Sequence, residues 1–122
     1  MKKILFVIDT LGFGGAQKVL AQHLKYLQNT NHEVAVFAIK KKRYHNWFDD
    51  YKVYGALGDE QKITSELFNV LNILQEIATQ YEIIIGFMDL ITNFITVMTG
   101  KMANIPTIIS SRVVLSEHLT QA

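Results

Sequence analysis

Three glycines in four positions, Gly12, Gly14 and Gly15, follow directly on a short apolar run, Lys3-Ile4-Leu5-Phe6-Val7-Ile8-Asp9. Glycine backbone can approach a ligand closely, and free N–H groups at a helix N-terminus favour a phosphate or sugar oxygen. A bare tight turn between strand and helix is the alternative, but it needs fewer glycines than this. Two further groups of unusual residues stand far away in the chain: Asp89, and the run Ser110-Ser111-Arg112. Of four histidines, His118 with Glu117 beside it is a candidate substrate contact. His23 reads as part of a solvated helix face, His32 as structural, and His45 as a surface residue. No spacing among the four suits a metal, so no metal site is expected. The chain has no cysteine, which excludes a disulfide scaffold, thiol catalysis and cysteine-ligated metal.

The elements that must position these residues follow from hydrophobic periodicity. Lys3 to Asp9 is short, continuous and apolar, as in a strand buried on both faces. Ala16, Val19, Leu20, Leu24 and Leu27 recur at helical spacing, which predicts a helix from about Gly15 to Gln28, ended by Asn29-Thr30-Asn31. A second buried strand spans His32 to Ile39, completing a β-loop-α-β unit with a right-handed crossover. Lys52 to Leu57 suits a short third strand, and Ile63, Leu67, Val70, Leu71, Leu74, Ile77 and Ala78 mark a second amphipathic helix. Glu82 to Met88 reads as strand four, Leu90 to Met102 as a helix apolar on much of its circumference, and Pro106 to Ser110 as strand five. Alternating strands and helices predict an α/β fold, a doubly wound parallel sheet in a Rossmann-like three-layer sandwich. In such a sheet ligands bind beyond the carboxyl ends of the strands, where the glycines, Asp89 and Ser110-Ser111-Arg112 would meet.

The 122 residues suit one domain, and 49% hydrophobic against 19% charged residues exclude disorder. A net charge of +1 argues against nucleic acid as a partner. The run Ile4 to Ile8 is too short for a signal peptide, and the apolar stretch Ile83 to Val97 is broken by Gly86, Asp89, Thr92 and Asn93, so no membrane span is expected. These features suit a cytoplasmic protein. The one concentrated basic-aromatic patch, Lys40-Lys41-Lys42-Arg43 through Trp47, suits peripheral contact with an anionic inner membrane face or a pyrophosphate. A solvated loop covering the sheet edge is the other reading of that patch.

A nicotinamide site fits poorly, because Gly-x-Gly-x-x-Gly read from Gly12 places Gln17 at the third glycine, and lysines replace the acid after strand two. A phosphate-binding P-loop is absent. The order of motifs instead resembles the N-terminal domain of retaining GT-B glycosyltransferases of the family-4 type. Gly14, Gly15 and Ala16 match a Gly-Gly-Ala-Glu motif followed by Arg or Lys, with Gln17 in place of the acid and Lys18 keeping the base. His32-Glu33-Val34 leads strand two, Ile85-Gly86-Phe87-Met88-Asp89 precedes an Asn-containing helix, and Ile105 to Ser110 follows. The pattern looks most like bacterial members that extend polyprenyl-pyrophosphate-linked oligosaccharides.

The resemblance implies an acceptor-side half of a two-domain enzyme. A nucleotide-sugar would be co-substrate, the acceptor a glycan or lipid-linked, and no metal or other cofactor would be needed. Gly14, Gly15 and Lys18 would approach donor phosphates or acceptor, while Asp89, Ser110, Ser111 and Arg112 would line the acceptor side. Ser111 stands where some relatives have glutamate and Arg112 where others have histidine, so the catalytic residues stay unassigned. Leu115 to Ala122 begins a new segment, so the donor domain with its paired glutamates would lie beyond this chain, which alone would be inactive. An exposed face on the Leu90–Met102 helix would give self-association, making a homodimer one expected partner state. The alternatives are a nucleotide- or dinucleotide-binding module of an oxidoreductase and a non-catalytic subunit working with a separate partner.

Overall fold

The computed structural model describes residues 2–11, 15–41, 47–58, 60–87 and 90–110. Its elements run in the order β1 (Lys3–Ile8), α1 (Gly15–Asn29), β2 (Glu33–Lys40), β3 (Lys52–Leu57), α2 (Leu67–Ala78), β4 (Ile83–Phe87), α3 (Leu90–Ala103) and β5 (Thr107–Ser110). All five strands are parallel, in the spatial order β3-β2-β1-β4-β5. This is the doubly wound Rossmann-like sandwich that the periodicity predicts.

Central strands β1 and β2 are continuous apolar runs because both of their faces are covered. Residues alternate between two cores. Leu5 and Val7 of β1, with Phe37 and Ile39 of β2, face Val70, Leu71 and Leu74 of α2 and Ile95 of α3. Ile4, Phe6 and Ile8, with Val36 and Ala38, face Leu20 and Leu24 of α1. No helix joins β2 to β3 among the described residues. Instead, the turn at 47–50 inserts Phe48, fully buried, into the α1-side core. That aromatic plug covers part of the sheet beside α1.

Helix ends follow from asparagine chemistry. Asn31 (φ 69°) and Asn104 (φ 56°) adopt left-handed backbone just beyond α1 and α3. His32 N then bonds Leu27 O at 3.0 Å, and Ile105 N bonds Gly100 O at 2.9 Å, closing the orphan carbonyls of each last turn. One boundary differs from the sequence expectation. Apolar spacing begins at Ile63, whereas α2 begins at Leu67 after a run of turns. Ile63 meets the core from that turn, so its apolar character reports packing and not helix.

Helix α3 faces the sheet with its polar side. Thr92, Asn93, Thr96, Thr99 and Gly100 are buried alongside Ile95, while Leu90, Phe94 and Met102 are exposed. Gly86 of β4 explains the close approach, since a Cβ there would lie 2.7 Å from both Asn93 Oδ1 and Thr96 Oγ1. The expected exposed apolar face is therefore present, with Leu90 84% and Phe94 50% exposed. No described helix is long and apolar enough to cross a membrane.

Candidate functional site

Strands β1 and β4 are neighbours whose connections depart to opposite sides, towards β2 and towards β5. The ends of the strands near this switch point are level, with Val7 opposite Gly86 and Phe87 opposite Ser110. A crevice outside such carboxyl ends is where open α/β sheets bind ligands. The topology thus sets the carboxyl ends of β1, β4 and β5 in adjacent positions.

The β1–α1 connection is anchored from both ends. Asp9 Oδ1 accepts the Thr10 amide at 2.8 Å, and Lys40 N donates to Asp9 O at 2.8 Å. From the first turn of α1, Gln17 Nε2 donates to Thr10 O at 3.0 Å, with Gln17 only 8% exposed. Sequence reasoning treats Gln17 as a departure from two motifs. Its structural role is to tie the start of α1 to the loop in front of it, and only the folded contact reveals this. At Gly15, the first residue of α1, an added Cβ would meet nothing within 4 Å. Among the described residues nothing crowds this helix start, whose N–H groups suit an anionic or hydroxyl oxygen.

Of the other residues singled out, Ser110 closes β5 next to Phe87 in the ladder. Gly12, Gly14, Asp89, Ser111, Arg112 and His118 lie outside the described residues, as do Lys42, Arg43 and His45. Among the described residues no cluster of histidine and acidic side chains could hold a metal. His32 Nδ1 accepts the Lys2 amide at 3.0 Å, at the amino end of β1 and away from the crevice. Asn93 is a residue that the sequence reading did not assign. It is buried one turn into α3, beside Gly86, and its Oδ1 has no hydrogen-bond partner. An unpaired buried acceptor costs about 1–3 kcal/mol, and Asn93 carries that cost beside Gly86 of β4.

Two grooves adjoin these elements. One, of about 350 Å³, is lined by Thr64, Leu67, Leu90, Ile91 and Phe94. It lies between the N-termini of α2 and α3. Both helices run back from the carboxyl end of the sheet, so this apolar groove opens on the same end as Gly15. The other, of about 490 Å³, runs along α1 and contains Lys18, Gln22 and Lys25 facing Trp47, Asp50 and Tyr51. Lys18 and Trp47 line the same groove. Lys41 instead lays its stem over Gly55 of β3. Burial, and then the Asp50 carboxylate, push the Tyr51 hydroxyl above its usual pKa. A larger opening of about 700 Å³, lined by Gly100, Lys101, Asn104 and Pro106, lies at the opposite end of the sheet.

No family model matches the sequence, and no curated protein sequence matches it significantly. Solved structures do share the fold. The lipopolysaccharide outer core galactosyltransferase WaaB, in its apo form, superposes with a TM-score of 0.69 at 18% identity over 89% of this chain. The match takes in 32% of that enzyme, so this chain spans about a third of its length. The C-terminal domain of PF1911 hydrogenase from Pyrococcus furiosus gives a TM-score of 0.57 at 14% identity, over 89% of this chain and 91% of the other. The chain is similar in fold to one half of a GT-B glycosyltransferase.

Proposed function

We propose that this chain is the acceptor-binding half of a glycosyltransferase, which moves a sugar from a nucleotide-sugar to a glycan or lipid-linked acceptor. The observation that carries the reading is the apolar groove of Thr64, Leu67, Leu90, Ile91 and Phe94, between the N-termini of α2 and α3 at the carboxyl end of the sheet. The start of α1 at Gly15 and the apolar trough between α2 and α3 both stand at the carboxyl end of the sheet, which suits an acceptor with a sugar or phosphate head and a hydrocarbon tail. Gly14, Gly15 and Lys18 on one side, and Asp89, Ser110, Ser111 and Arg112 on the other, are the assigned contacts. The fold likeness to the galactosyltransferase half supports the reading. The donor domain would supply stabilisation of the leaving diphosphate, so this chain alone has no turnover. Peripheral attachment at a cytoplasmic membrane face, through the basic run from Lys40, belongs to the same proposal.

A dinucleotide cofactor is disfavoured by Gln17. The third glycine of that fingerprint allows close helix–strand packing, and here a buried amide fills the position. Ligand-observed NMR separates the readings, using nucleotides, nucleotide-sugars and a soluble polyprenyl-pyrophosphate-sugar analogue. The analogue is expected to bind, with nucleotides weak, and both Arg112→Ala and Phe94→Glu are expected to reduce analogue binding. Tight dinucleotide binding indifferent to Arg112→Ala would overturn the proposal in favour of the cofactor class.

A further inference from the structure

The groove along α1 lies outside the switch-point crevice and has chemistry of its own. Lys18, Gln22 and Lys25 follow one another at i, i+4 and i+7, so they form one outward row on α1. That row is about 10 Å long at 1.5 Å per residue. Neither lysine has an acidic partner within ion-pair distance among the described residues. Two ammonium groups without an ion pair among the described residues therefore line this groove, together with the Asp50 carboxylate. The opposite wall is held in place from below, because Phe48 is locked into the core between Trp47 and Asp50. Trp47 is 38% exposed and forms part of the groove wall.

We infer that this groove binds an acidic saccharide, a chain of at least two sugar units bearing a carboxylate or other anionic substituent. Each part of the wall answers one part of such a ligand. The indole face takes the C–H face of a pyranose ring, whose slightly positive hydrogens meet the negative aromatic quadrupole. Lys18 and Lys25 take the anionic substituent, and Gln22 and Asp50 exchange hydrogen bonds with ring hydroxyls. Asp50 also argues against a ligand dense in phosphate, since its carboxylate would face the anion. At about 490 Å³ the groove is within the range of small-ligand sites and far larger than a lone phosphate requires. A flat anionic membrane would touch the rim but leave the concave floor unfilled. The groove shares Lys18 with the contacts assigned to the transferase, whereas Lys25 and Trp47 belong to this groove alone, so a test on Lys25 stands if the transferase reading fails.

Trp47 is the only tryptophan in the sequence, so its fluorescence reports on this groove directly. The experiment titrates the chain with a hyaluronan tetrasaccharide, in which glucuronate alternates with N-acetylglucosamine. Maltotetraose, inorganic phosphate and phosphatidylglycerol vesicles are titrated in parallel. The acidic tetrasaccharide is expected to change the emission saturably and to weaken as salt rises. Lys25→Glu should weaken it by about tenfold or more, and Lys25→Arg should largely preserve it. Both variants lie on the exposed face of α1, and an unchanged circular dichroism spectrum verifies their folding. Equal binding of maltotetraose, a response to phosphate or vesicles alone, or no response to any probe would each overturn the inference.

Discussion

Helices α1 and α3 cover opposite faces of one sheet and reach it by opposite chemistry. The first buries Leu20 and Leu24 and turns Lys18, Gln22 and Lys25 outward, as an amphipathic surface helix should. The second buries three threonines and an asparagine and turns Leu90 and Phe94 outward. For α1, apolar burial holds the helix in place. For α3, the governing term is close approach: Gly86 and Gly100 leave no space for a side chain, and Thr107 lies directly against Gly100. Small polar residues fit there if their hydroxyls find partners locally, as Thr96 Oγ1 does on Thr92 O at 2.7 Å. Thr99 Oγ1 and Asn93 Oδ1 find none. The lesson is that, Ile95 apart, α3 meets the sheet largely through small polar residues, while Leu90, Ile91 and Phe94 line the groove at the start of the helix.

The largest effect should come from the conventional helix. Leu24→Ala in α1 is expected to lower unfolding stability by about 2–5 kcal/mol in urea denaturation, through lost burial and a cavity. A cost near zero would mean that α1 is not held by its apolar face. On α3, Thr99→Val should run the other way, stabilising by about 1 kcal/mol because it removes a buried hydroxyl that has no partner. Destabilisation by that swap would show that the hydroxyl is satisfied in solution. Smallest is the outward face: Phe94→Glu should leave stability within about 0.5 kcal/mol, as an exposed position allows. The same change should abolish any concentration-dependent association seen by sedimentation. A dimer unaffected by charge at Phe94 or Leu90 would remove this face from consideration as a contact.

Much of the architecture was legible because it rests on local periodicity. The unbroken run Ile4–Ile8, the 3.6-residue recurrence from Ala16 to Leu27 and the asparagines after α1 each encode their element directly, and the alternation encodes the parallel sheet. Adjacency of the β1, β4 and β5 ends followed from the doubly wound rule. The start of α2 was not legible, since Ile63 is apolar for packing reasons that mimic helical spacing. In the crevice, Gly12 and Gly14 lie outside the described residues, and at Gly15 no described residue comes within 4 Å of an added Cβ. The role of Gln17 could not be anticipated, because its partner Thr10 O is a backbone atom seven residues away that any sequence offers.

Composition and spacing alone therefore determined the element order and the fold class. They are enough because strand burial and helix amphipathicity are written into neighbouring residues. Only the tertiary structure decided which face of α3 meets the sheet, since its apolar count favours neither inward nor outward placement until Gly86 and Gly100 limit the separation. Only the tertiary structure, likewise, set Trp47 across from Lys18 and Lys25. That pairing depends on Phe48 docking into a core built from β1, β2 and α1, a long-range contact that no local pattern carries.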